Sequence, residues 1–521
     1  MTSTRTTTTR RARGRTLVVA ALVATTLAGC WPRIEGSTLL TVGDDRTVPI
    51  QIRCDHQTSD CVGTVLVRIG VHDSEPAAYA VPSQTEDTVI VTLTEDQYAL
   101  VPSDGYVPGE IVLDASLPAD DEPTDKEVGL HRVGAFTSTI SVAGDGTPGN
   151  GSSYGGGFSA DGRYAVFASN STNLVPGDEG AIGGVYVRDR RNGTTERVSR
   201  TPDGGHPDSG AAYGAISASG QVVAYSSNAS NLVDDDTNGE WDVFVYDRET
   251  GETTRVSVAT DGTQGNGESS GEVAISGNGR VVAFWSFATN LVDGDTNGIR
   301  DVFVHDRLLG TTVRASVSSS GAQANFAGSS SPPALSSEGH QVVFQSAATN
   351  LVPNDTNARE DIFVHDLLTS TTTRVSVPTG GGQANSDSHM PAISGDGTNV
   401  AFLSNATNLV SFDSNLMGDI FVHDRVGGTT VRVSVSSSGA QANGSSYYPT
   451  ISYDGRYVAY YTSATNIPFN NAGRGIIHFD RLESTIVKLG GGNPTAPVIS
   501  ADGRHVTWPT GGQVVVRDTT G

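Results

Sequence analysis

The sequence predicts an all-β chain: a seven-bladed β-propeller preceded by a small β-sandwich. Three observations lead there. First, a stretch typified by Ile275–Val317 recurs through the C-terminal three quarters of the chain. Registered on an apolar-Ser pair at Phe158, Ile216, Ile275, Leu335, Ile393, Ile451 and Ile499, the copies stand 58, 59, 60, 58, 58 and 48 residues apart by subtraction. Such a period indicates units that bury their faces against one another. Second, each copy spells four strands. In the third copy these are Val273–Ser276, Val281–Trp285, Asp301–His305 and Thr312–Val317, rich in Val, Phe and Thr and separated by Gly, Asn and Asp. Third, the ends are complementary. After Ile499 only three strands remain (Val498–Ser500, His505–Trp508 and Gln513–Arg517), while Ser138–Val142, ahead of the first full copy, matches the fourth strands Thr254–Val258 and Thr430–Val435. Six complete blades and one composite blade, closed by the N-terminal strand, follow. Closure removes the exposed edges that an open stack would present.

From the start of the chain, residues 1–29 have the form of a lipoprotein signal peptide. Arg5, Arg10, Arg11, Arg13 and Arg15 precede the apolar run Leu17–Leu27, and Leu27-Ala-Gly-Cys30 ends it. The tetrapeptide resembles a bacterial lipobox, which implies cleavage before Cys30 and a lipid on its thiol. Arg10-Arg11 leaves the Sec and Tat export routes both open. An exported protein is expected, anchored on the outer face of the cytoplasmic membrane, in the periplasm or at the cell surface, with membrane contact through the lipid alone. Residues 30–36 would be a tether.

Net charge is −24, and loss of residues 1–29 removes five Arg and no acid, leaving about −29. Such a surface repels phosphates and argues against nucleic acid as a partner. A monomer is expected.

Residues 37–117 read as a β-sandwich, from the alternating runs Val48–Ile52, Gly63–Ile69, Asp87–Leu93 and Val107–Leu113. Cys54 and Cys61 are expected to form a disulfide across a polar loop, worth about 2–3 kcal/mol. Cys-x6-Cys-x-Gly-Thr-Val, followed by Tyr79-Ala-Val-Pro82, is similar to immunoglobulin-like modules of bacterial surface proteins. Residues 118–130, acidic and Pro-containing, are expected to be a linker into the propeller at 131–521.

Ile-Ser-x-Asp-Gly-Arg-Tyr-Val-Ala, followed by Asp, an apolar residue and Phe-Val-x-Asp-Arg, resembles the WD40-like (PD40) repeat of the TolB family over roughly residues 131–521. The resemblance implies an envelope interaction platform. Similar blades also serve as propeller domains of prolyl-oligopeptidase-type enzymes and as polysaccharide lyases. The sandwich, the lipobox and the blade number depart from the TolB pattern, so a translocation role is not carried over.

The sharpest chemical motif is the loop between second and third strands. Asp234, Asp236, Asn238 and Asp242 in blade two, and Asp293, Asp295, Asn297 and Asp301 in blade three, stand at positions 1, 3, 5 and 9, with Gly239 and Gly298 at position 6. That is how a short loop wraps Ca²⁺, a hard cation wanting six to eight oxygens. The same residues also suit Asx-turns that cap backbone amides without metal. Blades four and five keep Asp355, Asn357 and Asp361, and Asp413, Asn415 and Asp419, but have Ala358 and Leu416 at position 6.

His305, His365 and His423 occupy one site in successive third strands, too far from the axis to converge on a metal, and are expected to pack. Gly151-Ser-Ser153-Tyr-Gly155 and Gly267-Glu-Ser269-Ser-Gly271 match the nucleophile-elbow pattern but lie in joins between blades, without the helix that elbow requires. The expectation is therefore a non-catalytic lipoprotein that binds an envelope protein or cell-wall glycan. The alternative is a polysaccharide lyase or glycan hydrolase with its site in the channel. Glu272, His389 and Tyr448 are the departures near first strands that such a site could use.

Overall fold

The computed structural model describes residues 137–521 except 180–181, 327–330, 468–473, 492–495 and 520–521, together with strands between residues 32 and 132. Cys30 and the side chains of Cys54 and Cys61 lie outside the described residues. The chain divides into two units near residue 138.

In the C-terminal unit the repeat forms seven four-stranded antiparallel sheets. Blade three is Ser269–Ile275, Val281–Ser286, Asp301–Asp306 and Thr311–Arg314, in that order from inner to outer edge. Blade seven has Val498–Ile499, His505–Thr510 and Gln513–Asp518, and its outer strand is Thr137–Thr139. Beyond that strand the Ile140 amide donates to the Val514 carbonyl at 2.8 Å, and the Val514 amide to the Ser141 hydroxyl at 3.0 Å. The ring closes as the strand count predicts.

The core is the set of seven seams between neighbouring blades. Val222, Val243, Val282 and Phe284 fill one seam, and Ile140, Ala165, Phe167, Val514 and Val516 fill the seam between blades seven and one. Within five blades an aromatic pair stacks across the second and third strands, Phe284 on Phe303 and Phe402 on Phe421 among them.

The repeat signature is explained by its hydrogen bonds. Ser276 Oγ accepts from the Val281 amide and donates to Asn278 Oδ1, closing the first turn, where Gly279 takes φ 72°. Asp306 Oδ1 accepts the Leu308 and Leu309 amides and so caps the turn after the third strand, while Arg280 pairs with the same carboxylate. Arg307 then donates to the Gly279 carbonyl. The Asp-Gly-Arg and Asp-Arg halves of the motif therefore clamp two turns on one face. Those first turns are linked around the ring by backbone bonds: Ala160 to Ala218, Ala218 to Gly277, Gly277 to Ser337, and onward to Ala501.

The N-terminal unit contains two sheets. Pro32–Glu35, Thr47–Cys54 and Glu86–Thr92 form one. The other runs Leu39–Val42, Asp125–Arg132, Val107–Ala115, Cys61–Ile69, His72–Asp73, with Ala77–Val81 also paired to Cys61–Ile69. Two stretches differ from expectation. Pro32–Glu35 lies in the expected tether, and Asp125–Arg132 overlaps the expected linker. In the latter, Val128 and Leu130 alternate with other residues at strand period, a pattern masked by the acidic run before it.

Candidate functional site

The loops with calcium-type spacing are held by arginine. In blade three Arg314, from the fourth strand, lies between two carboxylates, with Nη1 at 3.0 Å from Asp295 and 3.3 Å from Asp301. Arg374 does the same to Asp355 and Asp361, and Arg432 to Asp413 and Asp419. In blade two Arg255 stands 3.3 Å from Asp236. The position-9 carboxylates have further partners. Asp301 accepts from Ser316 Oγ and Asn297 Nδ2, and Asp242 accepts from Ser257, Asn238 and Gln264. Asn238 and Asn297 turn their own oxygens to backbone amides two residues on.

Asp234 and Asp293 are exposed and stand outside these ion pairs. Gly239 and Gly298 take positive φ, and so do Ala358 and Leu416, so the loop keeps one conformation with or without glycine. Burial pushes the Asp242 and Asp295 carboxyls upward, with Arg255 and Arg314 pulling them back. A guanidinium occupies the space between the two carboxylates that the spacing would offer a cation. Among the described residues no group of three or more His, Cys, Asp or Glu could hold a metal.

The third-strand histidines do not converge. Each is buried, and its Nδ1 meets a threonine hydroxyl of the adjacent strand: His305 with Thr312 at 2.9 Å, His365 with Thr372 at 2.8 Å, His423 with Thr430 at 2.9 Å. That hydroxyl donates in turn to a carbonyl after the fourth strand of the preceding blade, at Val258, Val317 or Val377. Desolvation lowers the pKa of all three, and of His478, from the ordinary 6.5. The unfolded chain therefore binds more protons than the fold below about pH 6.5. Stability is complete above that value and is lost as the pH falls through it. A fall in Tm beginning near pH 6.5 is expected, shallower in His365→Gln. Carboxylates such as Asp306, whose pKa is lowered by Arg280, act only at more acid pH, below about 3.9.

The two Gly-x-Ser-x-Gly serines are staples. Ser153 Oγ bonds Ser169 Oγ, and Ser269 Oγ bonds Ser286 Oγ, tying first strand to second. Ser388 to Ser404 and Ser446 to Thr462 repeat the contact.

What departs from the repeat lies along the channel. The inner strands line a cavity of about 410 Å³, mostly glycine, alanine and branched aliphatic residues. Glu272 is the only charged side chain among the described residues lining it. Its carboxyl faces the open channel yet is ringed by protein, and the desolvation raises its pKa.

In five blades the inner strand carries a bulge. Blades one and three place glycines there with positive φ, Gly155 and Gly271. Blades two, five and six instead place Tyr213, Met390 and Tyr448, at φ 58°, 54° and 56°. A bulky residue held left-handed costs about 1–2 kcal/mol. Bulges re-aim side chains and are frequent beside functional sites.

Next to the bulges stands a polar cluster that the sequence alone did not bring together. Gln345 Nε2 lies 2.6 Å from Glu360 Oε2 and 2.8 Å from His389 Nδ1, and His389 Nδ1 lies 2.9 Å from the same Glu360 oxygen. Gln345 Oε1 accepts the Met390 amide at 3.2 Å. The His389 contact holds the Glu360 carboxyl below its ordinary pKa. His389 was visible as a departure from the repeat. Its partners come from a different blade, and no spacing signals that meeting.

No protein-family model matches the chain, and no curated protein matches it. Similar solved structures include an oligogalacturonate lyase in complex with manganese, at 12% identity and TM-score 0.48, covering 74% of this chain and 96% of that one. The β-propeller domain of the trilobed protease from Pyrococcus furiosus follows at 10% identity and TM-score 0.45, covering 72% and 95%. A putative TolB from Agrobacterium tumefaciens has 16% identity and TM-score 0.33, covering 55% and 81%. At these values the likenesses carry no argument about activity.

Proposed function

We propose that this protein is a non-catalytic, exported propeller that binds an envelope ligand at the channel mouth on the face of the long loops. Lipidation at Cys30 would hold it to the membrane, with the N-terminal sheets, read as an immunoglobulin-like sandwich, as spacer. The observation behind this reading is the left-handed Tyr213, Met390 and Tyr448 at the inner-strand bulges. Glycine would adopt this backbone without strain; Met390 and Tyr448 also pack against blade cores, whereas Tyr213 turns an exposed ring outward. Tyr213 is 39% exposed, and in blade six Tyr447, Tyr448 and Tyr461 form an aromatic group with centroids 6.3 and 6.5 Å apart. Tyrosines that pair an apolar ring with a polar tip suit a wet binding surface.

Immobilised residues 31–521 should retain a component of a solubilised envelope extract. Tyr213→Gly with Tyr448→Gly should weaken that retention at least tenfold while changing stability by no more than about 1–2 kcal/mol, because the released strain offsets the packing that Tyr448 loses. Unchanged retention in this variant would place the ligand elsewhere.

The channel also favours a second reading, a lyase or hydrolase, through Glu272 and the His389–Glu360 pair. An imidazole set by a carboxylate is a general-base arrangement.

A further inference from the structure

Two positions are diagonal neighbours at the loop end of every complete blade: the fifth residue of the second strand, which pairs with the second residue of the third, and the residue before the third. The surrounding frame of Ser, Asp, Gly and Arg recurs, but these two change from blade to blade. They are Ala168 and Gly183, Ser226 and Trp241, Trp285 and Arg300, Gln345 and Glu360, Leu403 and Gly418, Tyr461 and Arg474. Where a fold requirement repeats and one pair of positions does not, that pair answers to something other than the fold.

Blades three and four carry the pairs with most chemistry. In blade three the Arg300 guanidinium lies 3.8 Å from the Trp285 ring centroid, and Phe287 meets that ring edge-on at 6.3 Å while remaining 49% exposed. In blade four, Gln345 is only 3% exposed and all its hydrogen-bonding capacity goes to Glu360, His389 and Met390. It acts as a positioning residue. Glu360 and His389 have side chains 30% and 26% exposed, and the contacts within the cluster run through Oε2 and Nδ1.

We propose that Glu360 and His389, set by Gln345, form a subsite for the hydroxyls of a neutral saccharide, with the exposed Phe287 one blade earlier as the apolar platform for its C–H face. The inference rests on the binding function proposed above and names its ligand class. A fixed carboxylate accepts hydroxyl protons, and hydrogen bonds to a charged acceptor are about twice as strong as neutral ones. The imidazole nitrogen beside it offers a further hydrogen-bonding site on the same edge. An anionic glycan is disfavoured by the chain's net charge of −24 and by the Glu360 carboxylate at the subsite.

The test is calorimetric titration of residues 31–521 with cellohexaose, chitohexaose and mannohexaose, and with hexagalacturonate as the charged comparator. At least one neutral hexasaccharide should bind, with hexagalacturonate at least tenfold weaker. Glu360→Gln and His389→Ala should each weaken the binding at least tenfold with Tm unchanged, and Phe287→Ala provides a third variant away from the polar cluster. Silence of all three neutral sugars, equal binding of hexagalacturonate, or wild-type affinity in the variants would overturn the subsite. If the sugars are silent but the envelope extract is still retained through Tyr213 and Tyr448, only the subsite fails. If neither is retained, the binding function itself fails.

Discussion

Ile140→Ala is expected to destabilise the propeller by about 2–5 kcal/mol, the usual range for truncating a buried isoleucine. Ile140 is 2% exposed and packs against Ala165, Phe167 and Val516 in the seam where the ring closes. The equivalent truncation in an ordinary seam, Val282→Ala, opens a cavity but leaves the closing strand paired. At position 140 the truncation also weakens a short outer strand held by few backbone bonds, so loss of Ile140 should broaden the unfolding transition as well as lower it. Urea denaturation followed by fluorescence in variants that keep one tryptophan, Trp508 of blade seven or Trp285 of blade three, reads both effects. Equal transitions from the two regions with no loss of stability would mean that the N-terminal strand is not what closes the ring.

Arg314→Met should cost about 3–5 kcal/mol, because it leaves two buried carboxylates without their counter-charge. Arg314, Asp295 and Asp301 have side chains 9%, 3% and 1% exposed, so solvent screens the loss little. Asp295→Asn combined with Arg314→Met should recover part of it. Addition of calcium or of a chelator should leave the Tm of the wild-type protein unchanged, because a guanidinium already stands between the paired carboxylates. A calcium-dependent rise of several degrees would show that the cation displaces the guanidinium and would restore the metal reading of these loops.

The architecture is legible in the sequence because the residues that build each blade are local. Ser276, Asn278, Gly279, Arg280, Asp306 and Arg307 all fall within one repeat, and their recurrence counts the blades directly. Even the closing strand can be found, since Thr137–Thr139 and its continuation through Ile140 resemble the fourth strands they replace. The loops were harder. Oxygens at positions 1, 3, 5 and 9 suit either a cation or an arginine, and the arginine found between them lies 13 residues beyond Asp301 on another strand.

The polar cluster was hardest. Gln345, Glu360 and His389 span 44 residues and meet across a blade boundary, and two of the three occupy positions whose identity changes in every blade. Periodicity reveals what repeats, whereas a site is built from what does not. The bulges that place Tyr213, Met390 and Tyr448 in left-handed conformations were likewise invisible, because nothing in a tyrosine or methionine announces a positive φ.

The central claim is that the loop-face mouth binds an envelope ligand without converting it. The most direct measurement is incubation of residues 31–521 with a solubilised envelope polysaccharide, reading from one sample both the bound fraction and the chain length of the polysaccharide. Saturable binding that is lost in the Tyr213→Gly, Tyr448→Gly variant, with chain length unchanged over a long incubation, is the predicted result. Shortening of the polysaccharide, abolished by His389→Ala or by Glu272→Gln, would contradict it and make the channel an active site.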